Sequence, residues 1–210
     1  MINLFYPYIP EEAIKAIGEV LKTRWIGQGP RVDAVEEKFN KKFNLSHSVT
    51  VNSCTSALHL ALRLCNLEEN DEVISTPMTC TATNIPVLYS KSKAVFADIQ
   101  EGSMNIDPVD IKRKITPKTK AIMVVHWAGY PCDMAEIMQI AKEHNLKVIE
   151  DAAHALGAKY QSQPIGSIAD YTCFSFQAIK QITTVDGGML TMKNDVDCKR
   201  AKLLRWYGID

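Results

Sequence analysis

Residues 71–99 read "DEVISTPMTCTATNIPVLYSKSKAVFADI". "DEVIST" (71–76) is a short β-rich run, a helix fits near 81–90, and "KAVFADI" (93–99) is β-rich again. Two strands joined through a helix pair in parallel, with a right-handed crossover. The alternation extends both ways. Upstream, "SVTVN" (48–52) precedes a helix over 55–66. Downstream, Asp107 and Pro108 supply an N-cap and a first-turn start in "DPVDIKRKI". "TKAIMVVH" (119–126) precedes a helix over 133–145, "KVIED" (147–151) ends a strand, and "YTCFSF" (171–176) and "GGMLTM" (187–192) are two more strands. Helices are expected over 10–23, 31–43 and 194–207, the first amphipathic, with Ile14, Ile17, Val20 and Leu21 at helical spacing. The pattern predicts a three-layer α/β/α domain on a mostly parallel sheet, with its chemistry at the carboxyl ends of the strands.

The bulk numbers bound the function class. The chain has 210 residues, 46% of them hydrophobic and 23% charged, an ordinary balance for a globular core. Lys plus Arg and Asp plus Glu are 24 each, so no net charge points to nucleic acid or an anionic membrane. No apolar run is long enough to span a bilayer, and "MINLFYPYIPEEAIKAIGEV" lacks the basic start and apolar run of a signal peptide. Six scattered cysteines with no CxxC pair argue against disulfides or a zinc site, and fit a reducing cytoplasm.

Three stretches fall at strand ends and carry unusual residues. In "CFSFQAIKQITTVDGGML" (173–190), Lys180 stands among apolar neighbours. A buried lysine has a lowered pKa and makes a nucleophilic amine able to form a Schiff base; the alternative is a lysine that snorkels its head to the surface. In "VNSCTSALHLAL" (51–62) a strand runs through Ser-Cys-Thr-Ser into a helix. The free N–H groups of the helix start, with the hydroxyls of Ser53, Thr55 and Ser56, can seat a phosphate or can simply be a capped helix. In "VIEDAAHALG" (148–157) Asp151 can hold a protonated ring nitrogen or cap the next segment, and His154 follows. There is no Walker lysine and no GxGxxG. As a set, the three stretches offer a phosphate seat, an anion for a pyridinium nitrogen and an amine for an aldehyde, which are the handles pyridoxal phosphate (PLP) needs.

With these residues in place the chain resembles the PLP-dependent sugar aminotransferases of the DegT/DnrJ/StrS family, of the aspartate-aminotransferase fold (fold type I). The resemblance runs through "WIGQGPRVDAVEEKF", "VNSCTSALHLAL", "DEVISTPMTCTATN", "VHWAGYPCDM", "VIEDAAHALGAKY" and "FSFQAIKQITTVDGGML", nearly the whole chain. It implies that Lys180 carries the cofactor as a Schiff base and then moves the proton of the 1,3-prototropic shift. It implies that Asp151 pairs with the pyridine nitrogen, that Thr55, Ser56 and Ser175 hold the phosphate, and that His154 stands beside the ring near its phenolic oxygen. An aromatic residue often stacks on the ring in the segment after "TP"; here Thr81 is expected at that position. Gln177 stands where the family usually has His or Asn, and Asp186 where it has Glu. A histidine at the position of Lys180 would mark the family's dehydratase branch.

The resemblance further implies an activity and a domain plan. The reaction moves an amino group, glutamate being the expected donor, to a keto group of a nucleotide-linked deoxysugar, for polysaccharide, lipopolysaccharide or amino-sugar biosynthesis. Family members are dimers with a shared site and continue into a smaller C-terminal domain. Residues 1–210 are therefore expected to be the PLP-binding large domain, with a helical segment over about 1–45 and then the α/β core, and with the C-terminal small domain missing. Another PLP reaction on a sugar or cyclic ketone is a variant of this reading. The alternative of a different class is a truncated, non-catalytic remnant that binds PLP or dimerises. His47, His59 and His144 are read as structural; His126-Trp127, at a strand end, can line the site or fill the core, and the second reading is preferred.

Overall fold

The computed structural model describes residues 6–209; residues 1–5, the start of the expected N-terminal segment, lie outside the described residues. The first helix, α1 (Glu11–Thr23), carries the expected apolar stripe, but that stripe faces outward, with Ile14, Ile17 and Leu21 all exposed. α2 (Pro30–Phe43) begins with proline in its first turn, where a missing N–H costs nothing, and leads into β1 (His47–Val51). The strand–helix alternation then runs as expected: α3 (Cys54–Leu64), β2 (Glu72–Ser75), α4 (Thr81–Tyr89), β3 (Lys93–Phe96), α5 (Pro108–Lys114), β4 (Thr119–Val125), a 3-10 turn at Trp127–Gly129, α6 (Met134–Glu143) and β5 (Lys147–Asp151). Asp107 caps α5, accepting from the Val109 N–H at 3.0 Å. A small hairpin, β6 (Lys159–Tyr160) and β7 (Gln163–Pro164), was not expected from the sequence; it precedes β8 (Tyr171–Ser175), β9 (Gly188–Met192) and α7 (Asp195–Arg205).

Seven strands form one sheet in the order β1-β9-β8-β5-β4-β2-β3. β9 is antiparallel to both neighbours, β1 and β8, and the other pairs are parallel. The reversal follows from the connection: no helix separates β8 from β9, and the chain returns through the loop 176–187 instead of crossing over. That loop holds Lys180 and lies at the carboxyl end of the parallel strands.

Strand alternation sorts the core into layers. Val73, Met123, Ile149 and Leu190 pack with Leu58 and Leu62 of α3 on one face. Ile122, Val124 and Val148 pack with Ile111 of α5 and Ile137 of α6 on the other. Phe174, Phe176 and Met189 meet Phe39 of α2. Each such fully buried side chain contributes on the order of 2 kcal/mol. The edge strand β1 is pinned by Glu36 of α2, whose Oε1 accepts from the Thr50 N–H (2.9 Å) and from Arg205 Nη1 (2.6 Å), joining α2, β1 and α7. No helix among the described residues is long and apolar enough to cross a membrane.

Candidate active site

Four strand ends meet around one cavity of about 400 Å³. β1 leads into Ser53 and Thr55, β2 leads into the segment before α4, β5 ends in Asp151, and β8 ends in Ser175. Lys180 and His154 complete the lining. Asp151 and Ser175 share the parity of Ile149 and Cys173, so both point to the α3 side of the sheet. Glu150 points the other way.

The turn after β1 divides the labour of its hydroxyls. Ser53 is the N-cap of α3, its Oγ accepting from the Ser56 N–H at 3.1 Å. Ser56 Oγ lies 3.1 Å from Ser53 Oγ and lines a separate, larger groove of about 990 Å³ with His59, Arg63, Tyr89 and Trp206. That groove contains neither Lys180 nor Asp151. Of the two residues expected on the phosphate, Thr55 lines the cavity, while Ser56 lines the groove with its hydroxyl against that of the cavity-lining Ser53. The cap and the anion seat are not alternatives here, because the cap uses Ser53 and leaves the first-turn N–H groups at Cys54 and Thr55 for an anion.

Gly188 makes this turn possible. A Cβ at that position would lie 2.5 Å from Ser53 C and O and 2.7 Å from Cys54 N. The missing side chain lets β9 run directly beneath the start of α3. Gly129 serves the opposite wall: its φ is +86°, and a Cβ would meet the His154 carbonyl oxygen at 2.8 Å. The same carbonyl accepts from Gln181 Nε2 at 2.7 Å, and the Trp127 ring meets His154 edge-on at 6.2 Å. Trp127 therefore buttresses the site rather than filling the core.

Asp151 is buried, and each of its oxygens accepts a hydrogen bond. Its Oδ2 accepts from Thr83 Oγ1 at 2.7 Å, and its Oδ1 from the Ala153 N–H at 3.1 Å, with Cys54 Sγ at 4.0 Å. On the far side of β5, Glu150 and His126 are both wholly buried. Glu150 Oε1 lies 3.3 Å from His126 Nε2, and Oε2 accepts from Thr172 Oγ1. The Cys132 N–H donates to His126 Nδ1 at 3.1 Å, which puts the ring proton on Nε2, aimed at Glu150. The His126 N–H also donates to the Asp151 carbonyl at 3.1 Å, so one residue fixes both halves of the Glu150-Asp151 pair.

Lys180 differs from expectation in its surroundings. It is half-buried, and its neighbours Ile179 and Ile182 are exposed. The loop leaves the sheet after Phe176, so apolar neighbours in sequence do not enclose the lysine in space. Its ammonium is still felt nearby. Burial pushes the Cys54 thiol well up, Asp151 and Cys173 add to this, and Lys180 opposes it. Partial burial lowers His154 first, Lys180 lowers it further, and Asp151 pulls it back.

Thr81 is exposed and stands outside the cavity, whereas Cys80, the N-cap of α4, lines it. Side chains rotate by about 100° per residue at a helix start, so a shift of one position exchanges the residue that faces inward. Thr83 and Cys80 were not singled out from the sequence; the signal for Thr83 is a contact across 68 residues. No group of three or more His, Cys, Asp or Glu among the described residues is arranged to hold a metal. Chemically, the cavity joins an amine, a carboxylate, hydroxyls and the open start of a helix. That donor set fits an aromatic aldehyde bearing a phosphate and a ring nitrogen.

Comparison with known proteins agrees with this chemistry. Residues 7–210 match the family described as the DegT/DnrJ/EryC1/StrS aminotransferase family. The chain is 41% identical to the spore coat polysaccharide biosynthesis protein SpsC of Bacillus subtilis, over 99% of this chain and 54% of SpsC. The sugar aminotransferase CalS13 of Micromonospora echinospora superposes with a TM-score of 0.95 at 33% identity, over 100% of this chain and 59% of CalS13. The PLP form of Spr1654 from Streptococcus pneumoniae superposes with a TM-score of 0.90 at 33% identity, over 97% of this chain and 57% of Spr1654. The chain thus spans about half the length of the curated relatives it matches, and its sheet is that of the large domain of sugar aminotransferases. It belongs to the DegT/DnrJ/EryC1/StrS aminotransferase family.

Proposed function

We propose that residues 1–210 form the cofactor-binding large domain of a PLP-dependent aminotransferase. The enzyme moves an amino group from an amino acid, glutamate, to a keto group of a nucleotide-linked deoxysugar, acts as a homodimer, and serves polysaccharide or amino-sugar synthesis. The observation that carries this reading is the one cavity that collects Thr55 from the end of β1, Asp151 from the end of β5, and Ser175 and Lys180 from the end of β8 and the loop after it.

When bound, PLP supplies an electrophilic carbon and a ring that takes up electron density. Each residue then has a defined task. The Lys180 amine, on a loop rather than in the sheet, holds the cofactor and carries a proton to and from the reacting carbon. Asp151, anchored by Thr83 and the Ala153 N–H, accepts from the ring nitrogen. Thr55, Ser175 and the first N–H groups of α3 hold the phosphate. His154 stands at the rim, positioned by Trp127 and Gln181. Ser56 and Thr81 do not line the cavity themselves, and Cys80 lines it beside Thr79.

Adding glutamate to the PLP-loaded chain tests the reading. The expected result is conversion of the bound-cofactor absorbance to that of the aminated cofactor, with one 2-oxoglutarate released per site. A loaded chain that shows no conversion is a binding or dimerising module and not a transaminase.

A further inference from the structure

We infer that Thr83 is a positioning residue that sets the orientation of Asp151 through a directional hydrogen-bond chain beginning at Thr79. The inference rests on the reading of the cavity as a PLP site. Thr83 lies in the first turn of α4, only 1% exposed. Deeper in a helix a threonine hydroxyl often bonds back to the i−3 or i−4 carbonyl. Here it leaves the helix and donates to Asp151 Oδ2 at 2.7 Å, across to β5.

The hydroxyl has one proton, so its second contact has a fixed sense. Thr79 Oγ1 lies 2.6 Å from Thr83 Oγ1. Because Thr83 gives its proton to Asp151, Thr79 is the donor in that pair. The chain therefore runs from Thr79 through Thr83 to Asp151, each link polarising the next. Its base is rigid. Asn84, the next residue, accepts from Ser75 Oγ at 2.7 Å and donates to the Thr76 carbonyl at 3.0 Å, which locks α4 to the end of β2. Oδ1 of Asp151 is separately held by the Ala153 N–H. With one oxygen tied from β2–α4 and the other from the turn that follows β5, the carboxylate plane cannot rotate away from the cavity. Removing the Thr83 donor frees one oxygen while leaving the charge, the fold of β5 and Lys180 untouched.

The test compares the wild-type chain with Thr83→Val, Thr83→Ser and Thr79→Val. PLP affinity is read by titration, and the absorbance spectrum of the bound cofactor at fixed pH reports on the ring-nitrogen partner. Thr83→Val, which keeps the shape and loses the donor, is expected to weaken PLP binding about tenfold, as for loss of a hydrogen bond to a charged group. It is also expected to change the bound spectrum. Thr83→Ser is expected to restore both. Thr79→Val, which removes only the outer link, moves both in the same direction by a few-fold, and carries the test alone if Thr83→Val does not fold. Wild-type affinity and spectrum in Thr83→Val, or a Thr83→Ser that behaves like it, overturns the inference while leaving the PLP reading intact. A wild-type chain that takes up no PLP overturns both.

Discussion

Replacing Gly188 by alanine tests whether the anion seat depends on a close approach of two backbones. The added Cβ would sit 2.5 Å from Ser53 C and O and 2.7 Å from Cys54 N. All three are backbone atoms, so no flexible side chain can swing aside. Restoring a contact of 3.4 Å requires the turn or β9 to retreat by about 0.9 Å. Overpacking of this kind costs about 1–3 kcal/mol, a fall in melting temperature of roughly 2–12 °C for a chain of this size. The functional effect is expected to be larger than the structural one. The N–H groups at Cys54 and Thr55 move by nearly the same distance relative to Ser175 and Lys180, which is enough to break a hydrogen bond to a charged group. We expect PLP affinity to drop by about tenfold. Thermal melting by circular dichroism and a PLP titration measure the two effects. Gly18→Ala in α1 is the control, since an added Cβ there meets nothing within 4 Å; it should leave PLP affinity unchanged. A Gly188→Ala protein with wild-type melting and wild-type PLP affinity refutes the reasoning.

Two further outcomes follow from the same geometry. In the cofactor-free chain, NMR titration should place His154 below the ordinary value of 6.5, with Lys180→Ala raising it and Asp151→Asn lowering it further. Because the folded chain takes this proton less readily than the unfolded one, the contribution is neutral well above 6.5, and stability is lost as pH falls through that value until the folded pKa is passed; a midpoint above 6.5, or no response to Lys180→Ala, counts against it. His126→Ala should cost on the order of 3 kcal/mol in urea unfolding, because it leaves the wholly buried Glu150 with only Thr172 as a side-chain partner; a loss below about 1 kcal/mol contradicts that role for the pair.

The layers of the fold were legible because its strands are short apolar runs punctuated by amphipathic helices, and both signals are local. "DEVIST" and "KAVFADI" contain the parallel pair β2 and β3, with Glu72 opposite Lys93 and Ser75 opposite Phe96. The direction of β9 was not local information: it depends on what the loop 176–187 does, and that loop has no helical pattern to announce a crossover. The placement of Lys180 shows the same limit. Phe174 and Phe176 are buried because they alternate into the sheet, whereas Ile179 and Ile182 lie beyond its end and remain exposed. At the site, residues that end strands could be read from sequence, and Thr55, Asp151, His154, Ser175 and Lys180 do line one cavity. Residues whose role is set by helix phase or by distant contact could not. Ser56 and Thr81 differ from Thr55 and Cys80 by one step of a helix start, and the approach of Gly188 to Ser53 spans most of the chain.

In the proposed function Lys180 carries PLP within the cavity at the strand ends. Incubating the chain with PLP, reducing with borohydride and mapping the adduct by peptide mass spectrometry tests this. A pyridoxyl group is expected on Lys180, in a stoichiometry approaching one per chain, and is expected to be lost in Lys180→Ala. An adduct spread over surface lysines with Lys180 unmodified, or one that survives Lys180→Ala at the same stoichiometry, contradicts it.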